Sequence, residues 1–166
     1  VELAEAEERS REVDTIPWSV RKTIVMVASL CGLGVSIYLT IVHFDTTLTL
    51  ACPKNAVFNC ETVTTSAESR VFGIPVAVLG LAFFVGMVIL SLPIAWRVPS
   101  LRVAQARLAS VIVGIGFVFY LVYSELFTIH AICLWCSSVH VLTLILFVAI
   151  VTGWDEATEA AYSDLS

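Results

Sequence analysis

Apolar positions along the chain fall into four long runs separated by more polar segments of unequal length. Residues 24–42 and 74–96 carry no charge, residues 108–127 hold one acid, Glu125, near their end, and residues 131–152 have only Cys133, Cys136 and His140 as ionisable groups. Each run is close to the roughly 20 residues that a helix needs to cross a bilayer core. Backbone polar groups cannot stay unpaired in lipid, so runs of this length predict helices; transmembrane strands would be half as long and would alternate. Pro75 sits at the start of the second run and Pro93 and Pro99 bracket its exit, where a missing N–H costs little. Small residues recur four apart, at Gly32 and Ser36 and at Ser110 and Gly114, a spacing that lets membrane helices approach closely. The pattern predicts an all-α membrane protein, a four-transmembrane-helix bundle occupying residues 18–154, with residues 1–17 and 155–166 as solvated, frayed tails.

Composition strengthens the membrane assignment. Of 166 residues, 58% are hydrophobic and 14% charged, with a mean hydropathy of +0.93, against roughly 25% charged in an ordinary soluble domain. The formal net charge of -5 misleads about partners, because most of the acids lie in the two tails. The body has no basic stripe, which excludes a nucleic-acid ligand. The acidic start lacks the basic, then apolar, pattern of a secretory signal. Seven of the nine basic residues precede the first run (Arg9, Arg11, Arg21, Lys22) or lie between the second and third (Arg97, Arg102, Arg107). By the positive-inside rule both termini and the middle loop are then cytoplasmic, with Trp18, Trp96 and Trp154 at the cytoplasmic interface. The outer face comprises the loop of residues 43–73, between the first and second helices, and the turn of residues 129–132.

Four of the five cysteines fall on that outer face, where disulfides form and persist. Cys133-Leu134-Trp135-Cys136 opens the fourth run. Positions i and i+3 share a helix face, and a helix start stabilises a thiolate. Cys52 and Cys60 are separated by seven residues in a polar segment that reads either as a permanent staple or as a mobile pair delivering electrons to the C-x-x-C. Two pairs on one face favour a relay. Cys31, inside the first run, reads as a small buried hydrophobe. Alternatively, the four cysteines with His43 and His140 would suit a Cys/His metal-binding membrane protein.

The order of these parts resembles the vitamin K epoxide reductase family: Cys-x7-Cys after the first span, Ser-Arg-Val-Phe-Gly-Ile-Pro at residues 69–75 leading into the second, and C-x-x-C opening the fourth. The resemblance covers residues 18–152. DsbB-like proteins, also quinone-linked, carry their C-x-x-C in the first outer loop instead. The resemblance implies a quinone-dependent thiol–disulfide oxidoreductase of the bacterial cytoplasmic membrane. Its catalytic residues would be Cys52, which meets a thioredoxin-like (DsbA-like) partner, Cys60, which shuttles electrons to Cys133, and Cys136, which faces the quinone. The acceptor would be of menaquinone, ubiquinone or vitamin K type, and the partner a separate extracytoplasmic protein, since no thioredoxin-like domain is fused before Ser166.

Ser66 matches a family serine six residues after the second loop cysteine. Where animal enzymes hydrogen-bond vitamin K with an asparagine and a tyrosine, this chain has Ser69 and His140. Both still offer hydrogen bonds, but the exchange weakens the alternative of an epoxide reductase of the animal kind. His140 lies one turn beyond Cys136, and an ionisable group within a span is a functional candidate. Phe72 and Trp135, with Phe58, would wall the quinone pocket or anchor the loop. Glu125, His43 and Asp45 read as solvated rim residues.

Overall fold

The computed structural model describes residues 18–45, 47–48, 50–52, 58–97 and 100–163. Helix α1 (Trp18–Phe44) leads to a loop holding the short α2 (Cys60–Thr65) and a 3-10 turn (Ala67–Ser69). A two-stranded hairpin follows, β1 (Arg70–Val71) against β2 (Ile74–Pro75), antiparallel with Val71 opposite Ile74. Its turn residues Phe72 and Gly73 both have positive φ, 52° and 81°, as a tight two-residue hairpin turn requires. Then come α3 (Val76–Ser91), α4 (Pro93–Arg97), α5 (Leu101–Tyr123), a π-helical turn (Ser124–Ile129), α6 (Leu134–Val151) and α7 (Trp154–Ser163).

Among the described residues, three helical segments are long and apolar enough to cross a membrane: Ser19–Phe44, Leu101–Ile129 and Leu134–Val151. The second apolar run instead divides. Leu92 precedes a proline and takes an extended ψ of 146°, as the ring of Pro93 forces on its neighbour. This leaves α3 with 16 residues, fewer than the about 20 of a full span.

The helices pack with α1 against both α3 and α6, and α6 against α5. Val25, Ala28, Phe84, Met87, Val111 and Leu146 form the core between them. A methyl group at Gly32 would overlap the Phe84 ring, and one at Gly114 would lie 3.0 Å from Phe83 and 3.1 Å from Thr143. These are close approaches that the small-residue spacing anticipates. The outward faces are equally apolar, with Leu30, Ile37 and Ile41 on α1, Ile112 and Phe119 on α5 and Val141, Leu144 and Val148 on α6 all exposed. Water would penalise such a surface, whereas lipid does not. Cys31 belongs to this outer surface, so its expected burial is corrected: lipid and core are both apolar, and hydropathy cannot tell one from the other.

The end of the bundle away from the cysteines is fastened by two buried arginines. Arg21 pairs with Glu156 of α7 at 2.7 Å, and its side chain runs past Gly153, where a Cβ would sit 2.7 Å from it. Glu156 lies in the first turn of α7, where an acid complements the helix dipole. The C-terminal segment, expected to fray, is thus helical to Ser163 and buries Ala161. Arg107 stacks 3.5 Å over the Trp96 ring, gives Leu90 two hydrogen bonds of 2.7 and 2.8 Å, and reaches the Ala95 carbonyl at 3.2 Å. It therefore supplies donors that the end of α3 lacks. The Arg107→Met variant keeps the stem but strands those carbonyls. It is expected to lose about 2–4 kcal/mol, read as a lowered Tm in detergent; an unchanged Tm would mean that water replaces the guanidinium.

Candidate active site

Local backbone chemistry brings the two cysteine pairs together. The Asn59 side chain caps α2 by accepting the Thr62 N–H at 3.2 Å, while its own N–H donates to the Ile132 carbonyl at 3.2 Å. Phe58 bridges to Ile132 in parallel strand fashion. Cys60, the first residue of α2, is thereby held beside Cys133, the N-cap of α6. Both are almost fully buried, at 1% and 0% exposure. They share an apolar cluster with Val63 and Ala131, against which Cys52, Trp135 and Cys136 pack. All four expected redox cysteines thus meet at one end of the bundle.

Cys52 and Cys60 form a disulfide with a Cα–Cα distance of 6.1 Å, and Cys133 and Cys136 are free thiols. The expected mobility of the segment between the loop cysteines concerns residues 53–57, which lie outside the described residues. Its flanks are anchored. The Ala51 N–H donates to the Tyr38 hydroxyl at 3.1 Å, the Trp135 indole N–H donates to the Ala51 carbonyl at 3.0 Å, and the two rings lie 4.9 Å apart. Trp135 therefore holds the loop.

The Cys133 thiol is held below its ordinary pKa. The Cys136 thiol hydrogen-bonds it, and the backbone N–H groups of Cys136 (3.3 Å from the sulfur) and Trp135 add to this, against desolvation and the charge of Glu125. A capping sulfur at a helix N-terminus is placed where a thiolate is favoured. Glu125 is buried rather than on the rim, and its carboxyl accepts the Cys133 backbone N–H. The π-helical turn sets it there, closed by His130 in the left-handed conformation (φ 55°), with the Ala131 N–H donating to the Glu125 carbonyl at 3.2 Å. Asp45 stays at the surface, bonded to Thr47.

Beneath the sulfur cluster lies a partly open cavity of about 250 Å³ lined by α1, α3, α5 and α6 together with residues of α2 and the 3-10 turn. A cavity of roughly 150 Å³ already accepts a benzene ring, so this one suits a ring headgroup. Its walls are mostly apolar, among them Leu39, Phe83, Phe84, Phe117 and Val139. Of the residues expected to bind quinone, Ser66, Ser69 and His140 line it. Trp135 and Phe72 do not: the first braces the loop, and the second projects fully exposed from the hairpin tip. Cys136 is the cysteine that reaches both the cavity and the sulfur cluster. His140 is buried, with no hydrogen-bond partner at Nε2.

Ser36, outside the residues expected to bind quinone, is buried and lines the same space, and His43 and Glu125, expected at the solvated rim, line it too. Their signal was available in principle, as polar groups in or at the end of an apolar span. Among the described residues, no group of three or more His, Cys, Asp or Glu side chains is placed to hold a metal ion.

A helical integral membrane protein with a disulfide pair and a dithiol pair in one cluster, above an apolar cavity, has the architecture of a disulfide oxidoreductase. The chain belongs to the vitamin K epoxide reductase family, whose sequence model matches residues 23–151. A search of curated proteins finds no match. Membership makes it, in general terms, a quinone-linked disulfide oxidoreductase.

Proposed function

We propose that this protein oxidises a thioredoxin-like (DsbA-like) partner outside the cytoplasm and passes the electrons to a membrane quinone, supporting disulfide formation there. The observation that carries the reading is the position of Cys136, between the sulfur cluster and a cavity sized for a ring headgroup. In this reading α3 and α4 together complete a fourth crossing, both termini are cytoplasmic and the cysteines face outward. Cys52, Cys60, Cys133 and Cys136 are the catalytic residues. Ser66, Ser69 and His140 surround the acceptor; Trp135 and Phe72, expected to touch it, stand outside its cavity.

The cycle begins from the arrangement of bonds described above. Cys133 and Cys136 close a disulfide, and their two electrons and two thiol protons leave with the acceptor. A partner thiolate then attacks Cys52, breaking the Cys52–Cys60 bond and releasing Cys60. The partner's second thiol displaces Cys52, so the partner departs oxidised and the loop pair is left reduced. Cys60 attacks Cys133, freeing Cys136, and Cys52 attacks Cys60, freeing Cys133. The loop disulfide and inner dithiol are thereby restored. Each exchange needs a thiolate, and the lowered pKa of Cys133 makes it the better leaving group in the last step. A bound quinone supplies a two-electron acceptor, while the chain supplies position, thiolate stabilisation and a dry cleft.

A two-substrate assay tests the reading, with a reduced thioredoxin-like protein as donor and a series of quinones as acceptors. One quinol is expected for each partner disulfide formed over many turnovers; without the partner, no more than the single quinol per enzyme that its own dithiol yields. Partner oxidation beyond one equivalent per enzyme in the absence of quinone, or a stoichiometric metal ion held tightly by the reduced protein, would refute it.

A further inference from the structure

Helix hydroxyls in this chain habitually return their proton to the carbonyl one turn back. Ser29 donates to Val25 at 2.7 Å, Thr40 to Ser36 at 2.7 Å, Ser124 to Tyr120 at 3.0 Å and Thr143 to Val139 at 2.9 Å. Ser36 breaks the habit. It is 1% exposed, its Oγ has no hydrogen-bond partner, and it lines the cavity. A buried hydroxyl without a partner is costly and calls for an explanation. Among the described residues the other buried hydroxyl without a partner, Ser91, lies at the far end of α3 and does not line this cavity. The Ser36 backbone carbonyl accepts from the Thr40 hydroxyl at 2.7 Å, which also lies 3.3 Å from the Ala77 carbonyl of α3.

The serines at the hairpin end of the cavity are differently placed. Ser66 donates to the Val63 carbonyl at 2.8 Å and Ser69 to the Ser66 carbonyl at 2.6 Å. Each hydroxyl has one proton, so both are committed and only lone pairs remain. Quinone oxygens are acceptors and gain nothing from lone pairs. Among the described residues that line the cavity, the fully buried side-chain polar atoms without a hydrogen-bond partner are Ser36 Oγ on α1 and His140 Nε2 on α6.

We infer that Ser36 donates a hydrogen bond to a carbonyl oxygen of the quinone, the second polar contact beside His140, and so fixes where the ring sits against Cys136. The inference rests on the proposed quinone-reducing function and adds a binding residue on α1. A neutral hydrogen bond made alike before and during reaction affects binding more than turnover.

The test uses the full chain in detergent and a short-chain 1,4-naphthoquinone. Ser36→Ala is expected to raise both KM and the equilibrium Kd about three- to tenfold, with kcat within about twofold of wild type. Ser29→Ala, on the same helix and back-bonded, is expected to match wild type in both. An azido derivative of the quinone is expected to label the peptide covering residues 32–40 of the unmodified protein, a readout that holds even if the Ser36 variant fails to fold. Wild-type turnover with KM and Kd unchanged in Ser36→Ala, or labelling that spares α1, would overturn the inference alone. Failure of the wild type to bind or reduce any quinone would remove the proposed function as well.

Discussion

Replacing Cys136 by alanine is expected to abolish quinone reduction, by on the order of 10³-fold or more. The size of the effect follows from placement. Among the four cysteines of the cluster, Cys136 alone lines the cavity, while Cys133 is wholly buried on the side of the loop pair. Without Cys136 the inner pair cannot close a disulfide, so its electrons have no exit. The variant is also expected to rest in a distinctive state. The Cys133 thiolate, with no partner of its own, attacks Cys60 in the neighbouring disulfide and releases Cys52. Two protein sulfurs remain bonded, now as Cys60–Cys133, and one thiol is exchanged for another. Peptide mapping without reductant would find that bond, and quinol formation would report the lost activity. Turnover close to wild type would mean that another sulfur reaches the acceptor.

The helices were legible because lipid imposes a simple demand, that a span be long, apolar and internally hydrogen-bonded. Their ends were less so. The break at Leu92 depends on Pro93 acting on its neighbour, and it shortened one apolar run into two helices. Direction was harder still. Cys31 and Ser36 stand on one helix five residues apart, the first facing outward and the second facing the cavity, and nothing in an apolar environment on both sides distinguishes them. The acidic C-terminal segment read as solvated, because the burial of Arg21 that recruits Glu156 is a tertiary fact. At the site, the cysteine spacing announced two pairs, and the bridge between Phe58 and Ile132 is what joins them. Aromatic residues were ambiguous for a physical reason: a ring such as Trp135 serves equally as a pocket wall or as a brace with a polar handle, and here its N–H holds Ala51.

Loss of Cys60 is expected to be as damaging as loss of Cys136, at an earlier step. Cys60 is the loop sulfur at the centre of the cluster, 1% exposed and grouped with Cys133, whereas Cys52 is half-buried at its edge. Cys60→Ala leaves Cys52 as a lone thiol that can exchange with a disulfide on the partner but cannot pass electrons inward. Partner-driven quinone reduction is expected to fall on the order of 10³-fold. A thioredoxin-like protein with a single cysteine, supplied as its mixed disulfide with a small thiol, is expected to transfer to Cys52 with release of the small thiol, and the adduct to persist, because neither Cys60 nor a second partner thiol is there to resolve it. The matching control is Cys52→Ala. Both variants lose the same disulfide, so both lose the same loop constraint, about 2–3 kcal/mol for a short loop, and a shared fall in Tm cancels from the comparison. They differ in which sulfur survives. The remaining Cys60 is shielded from a large protein substrate, so Cys52→Ala is expected to form little adduct. Equal adduct yields in the two variants, or residual turnover in Cys60→Ala, would show that electrons do not pass through the loop in the order Cys52 then Cys60.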